Sequence, residues 1–139
     1  MSYHLKKIAV GIETIERLYV RQKMIKETYG TILHTTRNMP KKREDLIKTG
    51  SMFWIIKRKV LVRQKILDIL SVIRSDGSKG CEIELDKKLI RVIPTPMKPF
   101  QGWRYYLEED IPRDLNLDDE TGENLPDNIN AELIKLGLY

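Results

Sequence analysis

The chain has very few of the residues that bind metals or form covalent cross-links. Its 139 residues include one cysteine, Cys81, and two histidines, His4 and His34. One cysteine cannot form a disulfide within the chain, and these residues are too few for a Cys/His zinc site. Cys81 follows a glycine and alternates into a strand, which predicts a small buried residue rather than a nucleophile. We therefore predict no metal and no cofactor.

Long apolar segments are also lacking. No run approaches the ~18 apolar residues that a membrane-spanning helix needs. The first ten residues place Lys6 and Lys7 inside their only apolar stretch, without the small-residue cleavage site of a signal peptide. The chain has no GxGxxG or GxxxxGK sequence, so neither of these phosphate-binding loops is predicted. We expect a cytoplasmic protein with no membrane contact.

Charge is divided unevenly along the chain. Residues 1–107 carry 23 lysines and arginines against 10 aspartates and glutamates, a net charge of +13, whereas residues 108–139 carry 2 against 10, a net charge of −8. Apolar residues make up 41% of the chain, which is enough for a packed core. We expect a single α+β domain over residues 1–115 and an acidic C-terminal extension over residues 116–139. The basic body suits a polyanionic partner, although surface charge also serves solubility alone.

Apolar periodicity and turn residues predict an alternation of strands and helices. β-branched residues concentrate in the predicted strands, and Gly30 and Gly50 follow the first two helices as caps. Strands are predicted over residues 3–10, 31–36, 51–56, 60–73, 81–85, 89–93 and 100–107, and helices over residues 13–29, from Asn38 to Gly50, and over residues 128–137. Together they predict an α+β fold: a small, mixed, curled sheet or open β-barrel with two main helices and a short C-terminal helix.

The predicted start of the second helix has a high positive charge. Asn38 is a favourable capping residue, and Pro40 is tolerated in a first helical turn. Lys41, Lys42 and Arg43 would then lie at the positive end of the helix dipole. An anion bound there would relieve this repulsion.

Four segments of the sequence resemble a known family. They read HTTRNMPKKR from His34, GSMFWIIK from Gly50, RQKILD from Arg63 and PFQGWRY from Pro99. They are similar to an uncharacterised alphaproteobacterial family catalogued as domain of unknown function 1489, which implies a bacterial protein and supplies no activity. The family pattern tends to have a glycine after Lys57, whereas this chain has Arg58, which puts a tight primed turn at this position in doubt.

The order of elements is also similar to that of the PUA-like small barrels, which include ASCH and EVE domains. Those domains bind RNA or modified bases, so this resemblance implies an RNA ligand. Some ASCH-like proteins are amidohydrolases that use a lysine, a threonine and a glutamate, and no such set maps onto this sequence.

Cations and aromatic residues occur together in several segments. Nucleic-acid sites combine cations that displace phosphate counterions with flat side chains on which bases stack, each stack being worth about 1 to 3 kcal/mol. The candidate nucleic-acid-binding residues are Arg37, Lys41, Lys42, Arg43, Lys57, Arg58, Lys59, Arg63, Trp103, Arg104 and Tyr105. They predict a non-enzymatic module that binds RNA, a nucleotide or another polyanion.

These residues also have structural interpretations. Large aromatic side chains in strands usually belong to a core, which applies to Phe53, Trp54, Trp103 and one of the neighbouring tyrosines. Arg63 either lines a pocket or pairs across the sheet with Glu82, Glu84 or Asp68.

Two alternatives remain open. A hydrolase acting on a small molecule or modified nucleoside would use a pocket around Lys57 and His34, with Asp68 as a candidate acid, because histidines near strand ends can act as general acids or bases. The other alternative is a self-associating protein, such as a homodimer, whose acidic extension docks on its basic body.

Overall fold

The fold is taken from a computed structural model that describes residues 2–115. The predicted closing helix over residues 128–137 and the whole acidic extension over residues 116–139 lie outside the described residues. The described part contains the α+β arrangement that the sequence predicts. Its strands are β1 (Tyr3–Ile8), β2 (Ile32–Thr36), β3 (Ser51–Ile56), β4 (Lys59–Ile73), β5 (Lys79–Leu85), β6 (Ile90–Pro96) and β7 (Trp103–Leu107), and its helices are α1 (Ile15–Tyr29), α2 (Arg43–Thr49) and a 3-10 turn (Glu108–Asp110). Neither described α-helix is both long and apolar enough to cross a bilayer.

The strands form one open, mixed sheet. Its order is β2, β5, β4, β3, β1, β7, and β6 pairs with β4 beside this path. Strands β1 and β3 are parallel, whereas the other named pairs are antiparallel. The sheet does not close, because β2 and β7 lie at opposite ends of the order. The mixed curled sheet is confirmed, and a closed barrel is not formed.

The long strand β4 connects the two parts of the sheet. Its first half pairs with β3 and β6, and its second half pairs with β5. The register with β5 shifts between Ile66 and Asp68, where an extra residue makes a β-bulge. Bulges bend a strand and increase its twist, which explains how one strand serves both parts of a curled sheet.

Both faces of the central strands are covered, so two apolar clusters form. All six residues of β3 are buried. Met52, Trp54 and Ile56 join the larger cluster, which includes apolar side chains of α1 and α2, and Phe53 and Ile55 join a smaller cluster on the other face. Strands buried on both faces have continuous apolar sequences rather than alternating ones, as in this segment.

A buried amide network lies inside the larger cluster. The Gln64 side chain is fully buried and makes four hydrogen bonds. Its Nε2 donates to Gln22 Oε1 at 2.6 Å and to the Asp86 carbonyl at 2.8 Å, and its Oε1 accepts from Gln22 Nε2 at 2.8 Å and from Trp54 Nε1 at 2.8 Å. These bonds join α1, β3, β4 and the segment after β5. Every donor and acceptor of the Gln64 amide is therefore satisfied.

The turn between β3 and β4 is a tight primed turn, which the sequence had put in doubt. Lys57 and Arg58 both have positive φ, at 52° and 67°, and Ile56 pairs directly with Lys59. Positive φ at both central residues of a two-residue loop is the type I′ turn that suits the twist of a hairpin. The doubt raised by Arg58 was wrong, because a side chain can occupy the left-handed region at roughly 1 to 2 kcal/mol.

The second helix also begins later than predicted. It starts at Arg43, and Lys42 precedes it without a side-chain capping bond. The Asn38 carbonyl accepts from the Trp103 indole N–H at 2.9 Å, and the Lys42 N–H donates to the Tyr105 hydroxyl at 3.1 Å. These contacts tie the preceding segment to β7, so the predicted capping by Asn38 does not occur. The predicted crowding of three cations in a first helical turn was wrong.

Smaller differences concern the ends of strands. Strand β6 extends through Pro94 and Pro96 instead of ending at Ile93. Proline is tolerated where its missing N–H is not needed by a neighbouring strand, as at the edge of a sheet. Sequence patterns alone do not show which strand lies at an edge.

Replacing Arg58 by glycine tests the primed turn. Arg58→Gly is expected to raise the free energy of unfolding by about 1 kcal/mol, because glycine adopts positive φ without a Cβ clash. The measurement is urea unfolding followed by tryptophan fluorescence. Lys59→Gly, one residue on and inside β4, is the matched control and should destabilise the protein by about 0.5 to 1 kcal/mol. Equal changes in the free energy of unfolding for Arg58→Gly and Lys59→Gly would contradict the type I′ turn.

Replacing Gln64 by leucine tests the amide network. Gln64→Leu is expected to lower the free energy of unfolding by about 3 kcal/mol, because the Trp54 N–H and the Gln22 amide lose a buried partner. Gln22→Leu should lower it by only about 1 to 2 kcal/mol, since Gln64 keeps its bonds to Trp54 and Asp86. Both values come from the same urea titration. The network is not as described if Gln22→Leu proves the more damaging change.

Candidate functional site

Three consecutive exposed cations lie at the β3–β4 turn. Lys57, Arg58 and Lys59 are all exposed, and the Arg58 carbonyl accepts from the Met97 N–H at 2.9 Å. The Lys57 ammonium lies 3.9 Å from the Glu13 carboxylate, a contact between two exposed side chains. Exposed pairs of this kind contribute about 0 to 1 kcal/mol, so Lys57 remains available to a ligand.

Next to this turn, two further cations lie against aromatic rings. The Lys6 ammonium is 4.6 Å from the centre of the Tyr106 ring and 5.9 Å from that of Phe100, and the Arg104 guanidinium is 4.9 Å from the Phe100 centre. Lys6 Nζ also contacts Met97 Sδ at 3.7 Å, which connects this group to the turn. Burial, followed by repulsion from Arg104, lowers the pKa of Lys6. Lys98 is exposed and directly follows Met97, whose N–H bonds to the Arg58 carbonyl of the turn. We define the basic–aromatic strip as Lys6, Lys57, Arg58, Lys59, Lys98, Phe100 and Arg104.

The predicted aromatic residues of β7 have other partners. The Trp103 N–H and the Tyr105 hydroxyl bond to the backbone of the segment before α2. The Tyr105 ring packs edge-on against Tyr3 at 5.7 Å, and the Lys42 ammonium lies 5.2 Å from the centre of the Tyr3 ring. Trp103 and Tyr105 are half-buried. Their contacts hold the chain before α2 in place.

Besides Lys57, two of the predicted cations form ion pairs within the described part of the protein, and both pairs are shorter than that of Lys57. Arg63 makes a bidentate contact to Asp114, with both N–O distances at 2.7 Å. Arg63 thus forms an ion pair, although its partner is none of the three acids expected, and both Arg63 and Asp114 also line an open pocket. Arg43 donates to Asp68 at 2.9 Å and to the Ile69 carbonyl at 2.6 Å, which fixes the bulge in β4. Arg37 and Lys41 are exposed.

The catalytic candidates lie in different surroundings. His34 lines a cavity of about 70 Å³, and neither Lys57 nor Asp68 is among the residues that line it. Lys57 is at the tip of the β3–β4 turn, and Asp68 pairs with Arg43. A general base and its partner need to be within hydrogen-bond reach of a common position. The structure does not bring these three side chains around one cavity.

The cavity at His34 has a strongly positive lining. Lys7, Arg21 and His34 are its ionisable residues, and no aspartate or glutamate lines it. The remaining lining residues are Ile8, Ala9, Val10, Leu18, Gln22, Ile25, Ile32, Leu33, Trp54 and Leu85. Arg21 Nη2 donates to the Val10 carbonyl at 3.1 Å, and the His34 ring packs edge-on against Trp54 at 5.2 Å. His34 was predicted as a candidate from the sequence, whereas the two cations beside it were not.

The pKa of His34 is well below the usual value for histidine. Its Nε2 is buried and has no hydrogen-bond partner among the described residues. Burial lowers its pKa to about 4, and the nearby charges of Lys7 and Arg21 add to this effect. Burial also lowers the pKa of Lys7. His34 is therefore neutral at physiological pH.

The other histidine, His4, has hydrogen-bond partners at both ring nitrogens. Its Nδ1 accepts from the Ser51 N–H at 3.0 Å, so Nε2 carries the proton and donates to Glu108 Oε1 at 2.7 Å. Both ring nitrogens thus have protein partners, which fits a structural role. Among residues 2–115, no three His, Cys, Asp or Glu side chains come together as a metal site. The predicted self-association involves the acidic extension outside the described residues, and it stays a prediction.

Residues 5–139 match a protein-family model described as "Protein of unknown function (DUF1489)". Because this match covers nearly the whole chain, the chain belongs to that family. No curated protein and no solved structure matches. The family membership expected from the four sequence segments is confirmed, while the likeness to PUA-like barrels stays a prediction.

The low pKa of His34 predicts a pH dependence of stability. Between pH 6.5 and pH 4 the unfolded chain binds a proton at His34 that the folded protein excludes, so stability falls as pH falls. The loss is about 3 kcal/mol once pH is below both values. Unfolding free energies of the wild type and of His34→Phe, measured from pH 7 to pH 4, should diverge by this amount, with the variant less sensitive. Parallel curves would contradict the burial of a neutral His34.

Proposed function

We propose that this member of the DUF1489 family binds single-stranded RNA through the basic–aromatic strip. The observation that supports this most directly is the stack of Arg104 on Phe100 beside Lys6. Exposed bases stack on aromatic rings and on arginine guanidinium planes, and neighbouring cations hold the phosphates. Arg104 is exposed, so its side chain is accessible to a ligand.

The electrostatics of the strip favour an anionic ligand. Burial and repulsion from Arg104 lower the pKa of Lys6 and together outweigh the opposite effect of Asp110, so Arg104 destabilises the charged form of Lys6 in the unbound protein. A phosphate between them would replace repulsion by two attractions. Residues 2–115 carry 24 lysines and arginines against 14 aspartates and glutamates, so their net charge of +10 also attracts polyanions at long range.

The structural contacts narrow the set of RNA-binding residues. Arg43 and Arg63 are held by carboxylates, and the polar atoms of Trp103 and Tyr105 are bonded to the backbone. These four residues would have to break protein contacts to reach a ligand. The proposal therefore keeps the turn cations and Arg104 from the sequence prediction and adds Lys6, Lys98 and Phe100. Arg37, Lys41 and Lys42 are exposed but belong to the segment before α2, so they are not part of the strip.

Charge removal on the strip tests the proposal. If about four to six phosphates are neutralised, the plot of log affinity against log salt for a labelled single-stranded RNA should have a slope of about −3 to −4. Lys57→Ala/Lys59→Ala/Arg104→Ala should reduce the magnitude of this slope by about 2 and weaken binding at least about tenfold at low salt. Fluorescence anisotropy measures both quantities.

A triple variant elsewhere on the surface is the matched control. Lys23→Ala/Lys26→Ala/Lys87→Ala removes the same charge from exposed lysines of α1 and the loop after β5. It should retain most of the affinity and of the salt slope. Binding that is independent of salt, or equal losses in the two triple variants, would rule out the strip as the RNA site.

A further inference from the structure

The cavity beside Trp54 is a second concentration of positive charge, separate from the strip. It lies where β1 ends and α1 packs over the sheet, and its lining includes Lys7 and Arg21. No carboxylate of residues 2–115 forms an ion pair with either cation within 4.0 Å. Both cations disfavour a positive charge on His34, which shows that the cavity has an excess of positive charge. An anionic ligand would balance this excess.

We propose that this cavity binds a phosphate group. The combined charge of Lys7 and Arg21 matches a phosphate dianion better than the single charge of a carboxylate. Arginine donates to several phosphate oxygens, and lysine acts as a point charge beside them. The volume of about 70 Å³ is ample for one such group, since a single water needs only about 10 to 15 Å³.

The unpartnered nitrogen of His34 gives the site a third side chain that can contact a phosphate. Neutral histidine carries one N–H, and in the tautomer protonated at Nε2 this N–H can donate to a phosphate oxygen once the ring turns towards the cavity, since Nε2 is shielded from solvent in the unbound protein. A buried nitrogen without a partner is otherwise destabilising, and among the described residues it is the only buried side-chain N or O in that state. A phosphate between Lys7 and Arg21 would supply the missing acceptor.

The surrounding structure fixes the positions of the Arg21 and His34 side chains. One Nη atom of Arg21 is held by the Val10 carbonyl at 3.1 Å, which leaves its other donors for a ligand. Trp54, fixed through its N–H by Gln64, packs edge-on against the His34 ring at 5.2 Å. In open sheets, ligands commonly bind beyond the carboxyl ends of parallel strands, and β1 is parallel to β3 here. The cavity is therefore formed before any ligand enters it.

The test is an NMR titration of the full-length protein with inorganic phosphate near pH 7.5. The His34 ring resonances are expected to shift saturably with phosphate, and the pKa of His34 should rise in the bound state because the dianion favours the imidazolium. Sodium acetate and sodium chloride at equal ionic strength are the comparison titrations. A non-saturating shift, or the same shift with chloride, would mean that the cavity holds water only and would overturn the proposal. A saturable shift that is stronger with acetate would overturn the choice of phosphate.

Substitutions then locate the binding site. Arg21→Gln and Lys7→Gln should each weaken phosphate binding at least about tenfold, while thermal unfolding verifies that the variants remain folded. Arg17→Gln, an exposed α1 residue outside the cavity, is the matched control and should bind normally. The strip variant Lys57→Ala/Lys59→Ala/Arg104→Ala should also bind phosphate normally, which separates this proposal from RNA binding. Equal losses for Arg17→Gln and Arg21→Gln would overturn the assignment.

Discussion

The four hydrogen bonds of the Gln64 amide hold together the parts of the fold that form the candidate sites. Gln64 lies on β4, and its partners lie on α1, on β3 and after β5. An unpaired amide at this depth would destabilise the protein by about 1 to 3 kcal/mol per lost group, so the partners are tightly specified. The position of Trp54 depends on this network, and with it one wall of the cavity at His34. A polar residue in the core thus determines geometry that apolar packing alone would leave loosely defined.

Strand β1 explains why positive charge occurs in two separate places. Successive side chains of a strand point to opposite faces, so the adjacent residues Lys6 and Lys7 lie on different sides of the sheet. Lys6 meets Phe100, Tyr106 and the Arg104 guanidinium, whereas Lys7 lines the cavity below α1. One short sequence therefore contributes a cation to the strip and another to the cavity, and the core of the sheet separates them.

Local patterns predicted much of the fold, and long-range contacts explain what they missed. The alternation in β5, the apolar run of β3 and the glycine after α1 identified their elements, because these signals depend on near neighbours. The start of α2 was misplaced because Asn38 and Lys42 bond to residues of β7, more than sixty positions away in the chain. The partner of Arg63 was missed for the same reason, since Asp114 reaches it only after the chain has passed through β7. His34 was identified as a candidate from its place near a strand end, but the approach of Lys7 and Arg21 required the packing of α1 on the sheet.

The distribution of neutralised and unneutralised cations separates structure from candidate function. Arg43 and Arg63 meet carboxylates, and His4 meets Glu108, so each has a local structural explanation. In the strip, Asp110 offsets only part of the effect of burial and Arg104 on Lys6, and Glu13 lies 3.9 Å from the Lys57 ammonium. The cavity combines Lys7, Arg21 and an unpartnered His34 nitrogen, and no carboxylate lines it. A sequence optimised for stability alone would place carboxylates in closer contact with these cations, as this chain does for Arg43 and Arg63. The cations of the strip and of the cavity are thus less completely paired than Arg43 and Arg63. Such local exceptions are typical of binding sites, where the ligand completes the charge balance.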